Sequence, residues 1–193
     1  MGLNFKKQYR IELAPTLNKH WYYVWELKNG KEKKLGCFPS FTTVLNAYPF
    51  SEQLVKWIAE KGWNESREIR DQAGISGSKI HKAIEDLLAG TVLFKDQYKL
   101  EEWNKICSFV NWHKEYKPEI LGLELPLFSA KLGIPGRVDC VAKINGEIYV
   151  IDWKSSRNMH LPYHLQVAGY AQALEEMTDL KVDNTAVFQM GAS

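Results

Sequence analysis

The pattern of apolar and polar positions suggests a hairpin near the start of the chain, helical spacing to about residue 116 and strand-like runs from residue 120. Residues 22–27 are aromatic and β-branched, Asn29-Gly30 is a two-residue turn signal, and residues 33–38 return, which predicts a hairpin. Pro39-Ser40-Phe41-Thr42-Thr43 offers capping hydroxyls before a short helix reaching Tyr48. Ser51 is placed to cap a second helix whose apolar face is Leu54, Val55 and Ile58. A longer helix spans 65–89, with Ile80, Ile84, Leu87 and Leu88 at helical spacing and Gly90 where a C-terminal cap glycine belongs. Gly74 and Gly77 fall inside that pattern, each costing about 1 kcal/mol against alanine. They either permit a close backbone approach or mark a break. A further helix over 100–116 presents Leu100, Trp103, Cys107 and Val110 as a core stripe.

From Ile120 the period shortens. Residues 120–129, 136–144 and 147–153 read as strands, 162–177 as a helix and 185–190 as a last strand. Helices followed by a meander, a helix and a strand predict a mixed α/β or α+β sandwich. The 193 residues are enough for one domain with a sizeable core. Its expected parts are 1–50 (hairpin and short helix), 51–117 (helical region) and 118–193 (sheet and helix).

Asn145-Gly146 is the preferred centre of a type I′ turn. With a two-residue loop, Ile144 faces Glu147. Counting outward, Asp139 meets Asp152 and Val138 meets Trp153. Opposed residues project to one face with Cβ atoms ~5 Å apart, and Lys154 shares the face of Asp152 by alternation. Two carboxylates and an ammonium are thereby gathered on a sheet whose neighbours Val138, Val141, Ile148, Val150 and Ile151 are apolar. Burial and mutual repulsion raise such carboxyl groups unless a cation sits between them. A hard divalent ion resolves the conflict, and a cross-strand salt bridge to Lys154 is the structural alternative. His81 and Glu85 share a helix face with Gly77, and Gln166 and Tyr170 are likewise four apart.

Charge and cysteines narrow the picture. A net charge of +2 argues against a purely electrostatic nucleic-acid binder, so any such contact must be local. Lys28, Lys31, Lys33 and Lys34, with Lys6, Lys7 and Arg10, form the clearest patch, which as a solvated hairpin tip needs no ligand. The cysteines, Cys37, Cys107 and Cys140, lack any paired spacing, which argues against a zinc or iron–sulfur centre built from this chain alone and predicts reduced, mostly buried thiols. No apolar run approaches the ~20 residues that span a bilayer. The first ten residues carry no apolar signal region, and Lys6 stands where a myristoylation signal after Gly2 wants Ser or Thr. A cytoplasmic protein is expected, with no membrane partner.

Taken together, these residues resemble the PD-(D/E)XK nuclease superfamily, in its RecB-like exonuclease branch of phage and mitochondrial genome maintenance type. Gly77-Ser78-Lys79-Ile80-His81 looks like the helical motif whose histidine binds metal, and Gly136-Arg137-Val138-Asp139 like the strand motif with the first acid. Ile151-Asp152-Trp153-Lys154, followed by Ser155-Ser156, looks like the acid-x-lysine core, and Gln166-Val167-Ala168-Gly169-Tyr170 like the Gln-xxx-Tyr helix. The Pro39-Ser40-Phe41-Thr42 segment is also similar to those of the branch.

The resemblance implies a restriction-endonuclease-like core, a mixed sheet flanked by helices. It implies Mg²⁺ or Mn²⁺ on His81, Asp139, Asp152 and the Trp153 carbonyl. Lys154 would orient or activate the attacking water, and Glu124 would help a second metal or position water. Gln166, Tyr170, Ser155, Ser40 and Thr42 would support the site or touch substrate. Trp21, Tyr22 and Trp25 are candidates to stack unpaired bases, with packing as the alternative. Some relatives carry a four-cysteine iron–sulfur cluster, which three cysteines cannot form. The expected activity is metal-dependent hydrolysis of DNA, as an exonuclease on single strands or ends. The rivals are an endonuclease of the same fold and a non-catalytic nucleic-acid-binding protein. A homo-oligomer or other DNA-processing proteins stand as candidate partners. The resemblance also implies a bacterium or a virus-infected host cell as the setting.

Overall fold

The computed structural model describes residues 3–15, 20–156 and 158–191, so Gly2 lies outside the described residues. The chain divides into two compact units, Met1–Tyr48 with Pro118–Asp152 and His160–Phe188, and Pro49–Lys117 with Trp153–Met159 and Gln189–Ser193.

The first unit opens with an antiparallel sheet of β1 (Gln8–Leu13), β2 (Trp21–Lys28) and β3 (Lys31–Pro39), in that order. Strand β1 was not anticipated, although Tyr9, Ile11 and Leu13 alternate strictly with Gln8, Arg10 and Glu12, the period of a half-buried strand. Tyr9 packs edge-on against Phe128 at 5.0 Å, and Phe38 meets the same ring at 5.2 Å. Asn29 and Gly30 take φ of 51° and 72°, as a type I′ turn requires. Helix α1 (Phe41–Leu45) begins where Ser40 Oγ accepts the Thr43 N–H at 3.1 Å.

The larger sheet runs β4 (Glu119–Ser129), β5 (Ile134–Ile144), β6 (Glu147–Lys154) and β7 (Asn184–Gln189) in that order. Helix α5 (Leu161–Met177) connects β6 to β7. Asp183 N–H donates to Ile148 O and Met190 N–H to Lys154 O, so β7 rises in the same direction as β6 and the sheet is mixed. The apolar faces of the sheet and of α5 close over Leu127, Val138, Val141, Val150, Ala173 and Leu174. This is the expected mixed α/β architecture.

Asn145 and Gly146 take φ of 52° and 92°, and the ladder runs from Ile144↔Glu147 to Cys140↔Ile151. The turn therefore sets the anticipated register. The pairing of β5 with β6 ends one step before Asp139 and Asp152, while on its other side β5 continues along β4, where Val138 faces Leu125. Directly opposed carboxylates are destabilising, and the ladder stops where they would face each other.

The second unit is helical. Ser51 Oγ accepts the Leu54 N–H at 3.2 Å and starts α2 (Glu52–Lys61). Helix α3 (Trp63–Leu88) passes through Gly74 and Gly77 without a break. It ends in a Schellman motif, with Gly90 N–H on Leu87 O, Thr91 N–H on Asp86 O and φ of 86° at Gly90. Helix α4 (Leu100–Tyr116) turns Glu102, Lys105, Ile106 and Phe109 inward, while Leu100 is 67% exposed. The expected stripe is thus rotated. The cause is Glu102, whose carboxylate is satisfied by the Lys79 ammonium (3.1 Å), the Ser76 hydroxyl (3.0 Å) and the Lys99 N–H (2.9 Å). A charged group so bonded is tolerated in the interior.

The thiols also differ from expectation. Cys140 is buried, Cys107 half-buried and Cys37 exposed. No helix of the described residues is long and apolar enough to cross a membrane.

Candidate active site

In the first unit, strand β5 carries Asp139 and β6 carries Asp152, with 8% and 2% of their surfaces exposed. The Oδ2 atom of Asp152 is fully buried. The third acid, Glu124, comes from β4. Its neighbours pair regularly, Leu123 with Cys140 and Leu125 with Val138, but Glu124 itself has φ of 47°. A left-handed conformation costs a non-glycine residue about 1–2 kcal/mol. At this position it accompanies a carboxylate oxygen lying within 4.8 Å of one from Asp139. Arg137 reaches Glu124 at 4.0 Å with a 64% exposed side chain, a solvated and therefore weak ion pair.

Tyr170 senses these charges. Burial pushes its phenol up, and the charges of Asp152 and Asp139 push it further, against the opposing hydrogen bond from Gln166. Acids gathered on adjoining strands are a hard oxygen donor set of the kind that suits a divalent cation.

The supporting layer is densely packed. Gln166 Nε2 donates to Tyr170 Oη at 2.7 Å, and the two residues are 9% and 3% exposed. They brace the site from within and present little surface to a substrate. Phe41 meets Tyr170 edge-on at 5.1 Å. A Cβ on Gly169 would lie 2.2 Å from the Phe41 ring, and one on Gly136 would lie 2.5 Å from Tyr170 and 2.7 Å from Phe41. These two glycines form the seat of Phe41. Ser40, 5% exposed, caps α1 beside this ring, and Thr42 is exposed on the helix. Sequence reasoning placed the segment but missed Phe41 as its anchor; the small residues inside the motifs of Asp139 and Tyr170 were the available signal.

In the second unit, His81 is half-buried on α3, beside the buried Ile80, Ala83 and Ile84. Glu85 is drawn to Lys82 at 3.0 Å. Gly77 does allow a close approach, because a Cβ there would lie 3.1 Å from Ser155 Oγ. Trp153 is 2% exposed and is gripped edge-on by Phe109 (5.3 Å) and Trp112 (5.5 Å) of α4. By strand alternation Lys154 points away from the face that Trp153 anchors. The Lys154 carbonyl accepts the Met190 N–H at 2.8 Å.

The lysines of the N-terminal hairpin are exposed, but the patch is less open than expected. Arg10 lies over Trp25 at 3.7 Å and pairs with Glu32 at 2.8 Å and with Glu12. Lys34 covers Tyr23 at 4.1 Å. Trp25 is therefore stacked by a cation of its own sheet, and Trp21 and Tyr22 are half-buried.

The chain is 30% identical over 172 residues to mitochondrial genome maintenance exonuclease 1 of Xenopus tropicalis, covering 80% of this chain and 46% of that protein. It is 27% identical over 158 residues to the Homo sapiens protein of the same name, covering 73% and 45%. The chain thus spans less than half the length of these relatives. The family model for the PD-(D/E)XK nuclease superfamily matches residues 53–192, which takes in the acids, the lysine and the Gln166–Tyr170 helix. The chain belongs to the PD-(D/E)XK nuclease superfamily.

Proposed function

We propose that this protein is a divalent-metal-dependent deoxyribonuclease, acting as an exonuclease on single-stranded DNA or DNA ends. The observation that carries the proposal is the convergence of Glu124 and Asp139, next to buried Asp152, in a chain of this superfamily. Asp139, Asp152 and the Trp153 carbonyl would hold Mg²⁺ or Mn²⁺, with His81 as the imidazole ligand that the family motif assigns. When bound, the cation supplies Lewis-acid stabilisation of the phosphate and makes water a stronger nucleophile at neutral pH.

Other residues of the chain do the rest. Lys154 places a positive charge beside the phosphate, where negative charge grows as water attacks phosphorus and the P–O bond breaks. Glu124 orients the attacking water by accepting its hydrogen bond. Gln166, Tyr170 and Phe41 keep the acids in place. The names of the exonuclease relatives support the preference for ends, which the superfamily alone does not decide.

The test is cleavage of end-labelled single-stranded DNA with Mg²⁺ or Mn²⁺, against EDTA. Lys154→Met and Asp152→Asn should each lower the rate by about 10²–10³-fold or more. Full activity in either variant overturns the site. Cleavage of circular single strands would make the protein an endonuclease, and no cleavage with either metal would leave a binding protein.

A further inference from the structure

The second unit contains a cavity of about 610 Å³ that the acidic site does not use. Its walls include Leu100, Asn104 and Lys105 of α4, Ser155 and Ser156 at the end of β6, and Gln189 at the end of β7. The volume lies within the roughly 300–1,000 Å³ of small-molecule sites. Ser155 follows Lys154 directly, and Met190, which also lines the cavity, holds the Lys154 carbonyl. The cavity therefore starts where the strand bearing the acid-x-lysine motif ends.

The chemistry of the wall is specific. Lys105 is 8% exposed, unusual for a lysine. Its ammonium meets Glu101 at 3.0 Å, but the Glu101 side chain is 54% exposed. An ion pair with one solvated partner is weak, whereas a phosphate offers several charged acceptors to the same three donors. The Ser155 hydroxyl stands in the same wall, while Ser156 Oγ donates to the Asn158 carbonyl at 3.0 Å and Gln189 Nε2 to the Ser156 carbonyl at 2.9 Å. Asn104 and Gln189 carry amides that both donate and accept, and Leu100 presents 67% of its surface as an apolar flank. Together these groups match a phosphate attached to a sugar and a base.

We propose that this cavity seats a nucleoside phosphate, with the phosphate on the Lys105 ammonium and the Ser155 hydroxyl and the nucleoside against Leu100, Asn104 and Gln189. It deepens the nuclease reading and rests on it for its biological role. The ligand is either a nucleotide of the bound strand or the released monophosphate.

The experiment pairs kinetics on a single-stranded oligonucleotide with calorimetric titration of thymidine 5′-monophosphate, on the full chain. Lys105→Met should raise KM about tenfold, the loss expected for a charged hydrogen bond, and should weaken monophosphate binding in parallel. Lys105→Arg should restore both. A KM effect without monophosphate binding assigns the cavity to the strand; an effect on both assigns it to the product as well. Should Lys105→Met fail to fold, Asn104→Trp, at an exposed helix position, obstructs the same cavity and should raise KM likewise. A cleaving chain whose KM and monophosphate binding ignore these changes overturns the inference. Absence of cleavage by the unaltered chain overturns the nuclease reading instead, so the two fail separately.

Discussion

Asp139 sits on β5 beside two groups that register its charge. Burial first, and then the Asp139 charge, push the neighbouring Cys140 thiol up to about 12. Burial and then the charges of Asp152 and Asp139 raise the Tyr170 phenol. Since only the thiolate is reactive, Cys140 should resist maleimide at pH 8 in the folded chain, while exposed Cys37 labels promptly. Mass mapping of the labelled peptides checks this, and equal labelling of Cys140 would contradict its burial. At this scale the register set by the Asn-Gly turn was legible as far as Cys140 and Ile151, one step short of Asp139 and Asp152, because a tight turn fixes its flanking residues locally. The approach of Glu124 to Asp139 was not, because a left-handed φ in mid-strand has no marker at a glutamate.

Elements were read well wherever a local hydrogen bond sets them. Ser40 and Ser51 cap their helices, Gly90 closes α3, and both Asn-Gly pairs make tight turns. The inward face of α4 was misread because hydrophobic spacing cannot anticipate that Lys79 and Ser76, on another helix, satisfy Glu102.

Glu176 is a second such case. Near the end of α5 it accepts from Ser129 Oγ (2.8 Å), the Lys131 N–H (3.1 Å) and Gln172 Nε2 (3.2 Å), tying the helix to the β4–β5 turn. Burial would raise its carboxyl, but these donors prevail and hold it below the usual glutamate range. A depressed folded pKa contributes stability above the unfolded value, and that stability is lost as pH falls through the folded value. Glu176→Gln should therefore cost about 1 kcal/mol at neutral pH, solvent screening keeping it small. The loss relative to the unaltered chain should shrink under acid. Thermal unfolding from pH 7 to pH 3 measures both, and a gap that widens under acid refutes the assignment.

For the whole molecule, a net charge of +2 leaves recognition of the proposed DNA substrate to local groups rather than to a global field. The clustered acids predict a linkage effect. A cation bound by the folded chain alone stabilises it by about 2.7 kcal/mol at a hundredfold excess over its dissociation constant. Mn²⁺ should accordingly raise the Tm by several degrees, and Asp139→Asn should remove most of that rise. Calorimetry with and without EDTA provides the check, and an unaltered Tm in the parent chain would count against a preformed site.

The sequence by itself determined the strand register at Asn145-Gly146, the helix ends and the motifs that mark the superfamily. These depend on contiguous residues, whose turns, caps and alternation are local geometry. Tertiary structure alone decided which distant groups meet. Phe41 lodges against Gly136 and Gly169, Glu124 turns toward Asp139, Trp153 is gripped by α4, and Lys105 and Ser156 line one cavity. Each of these joins segments far apart in the chain, so each follows from the packing of whole elements rather than from any pattern along the sequence.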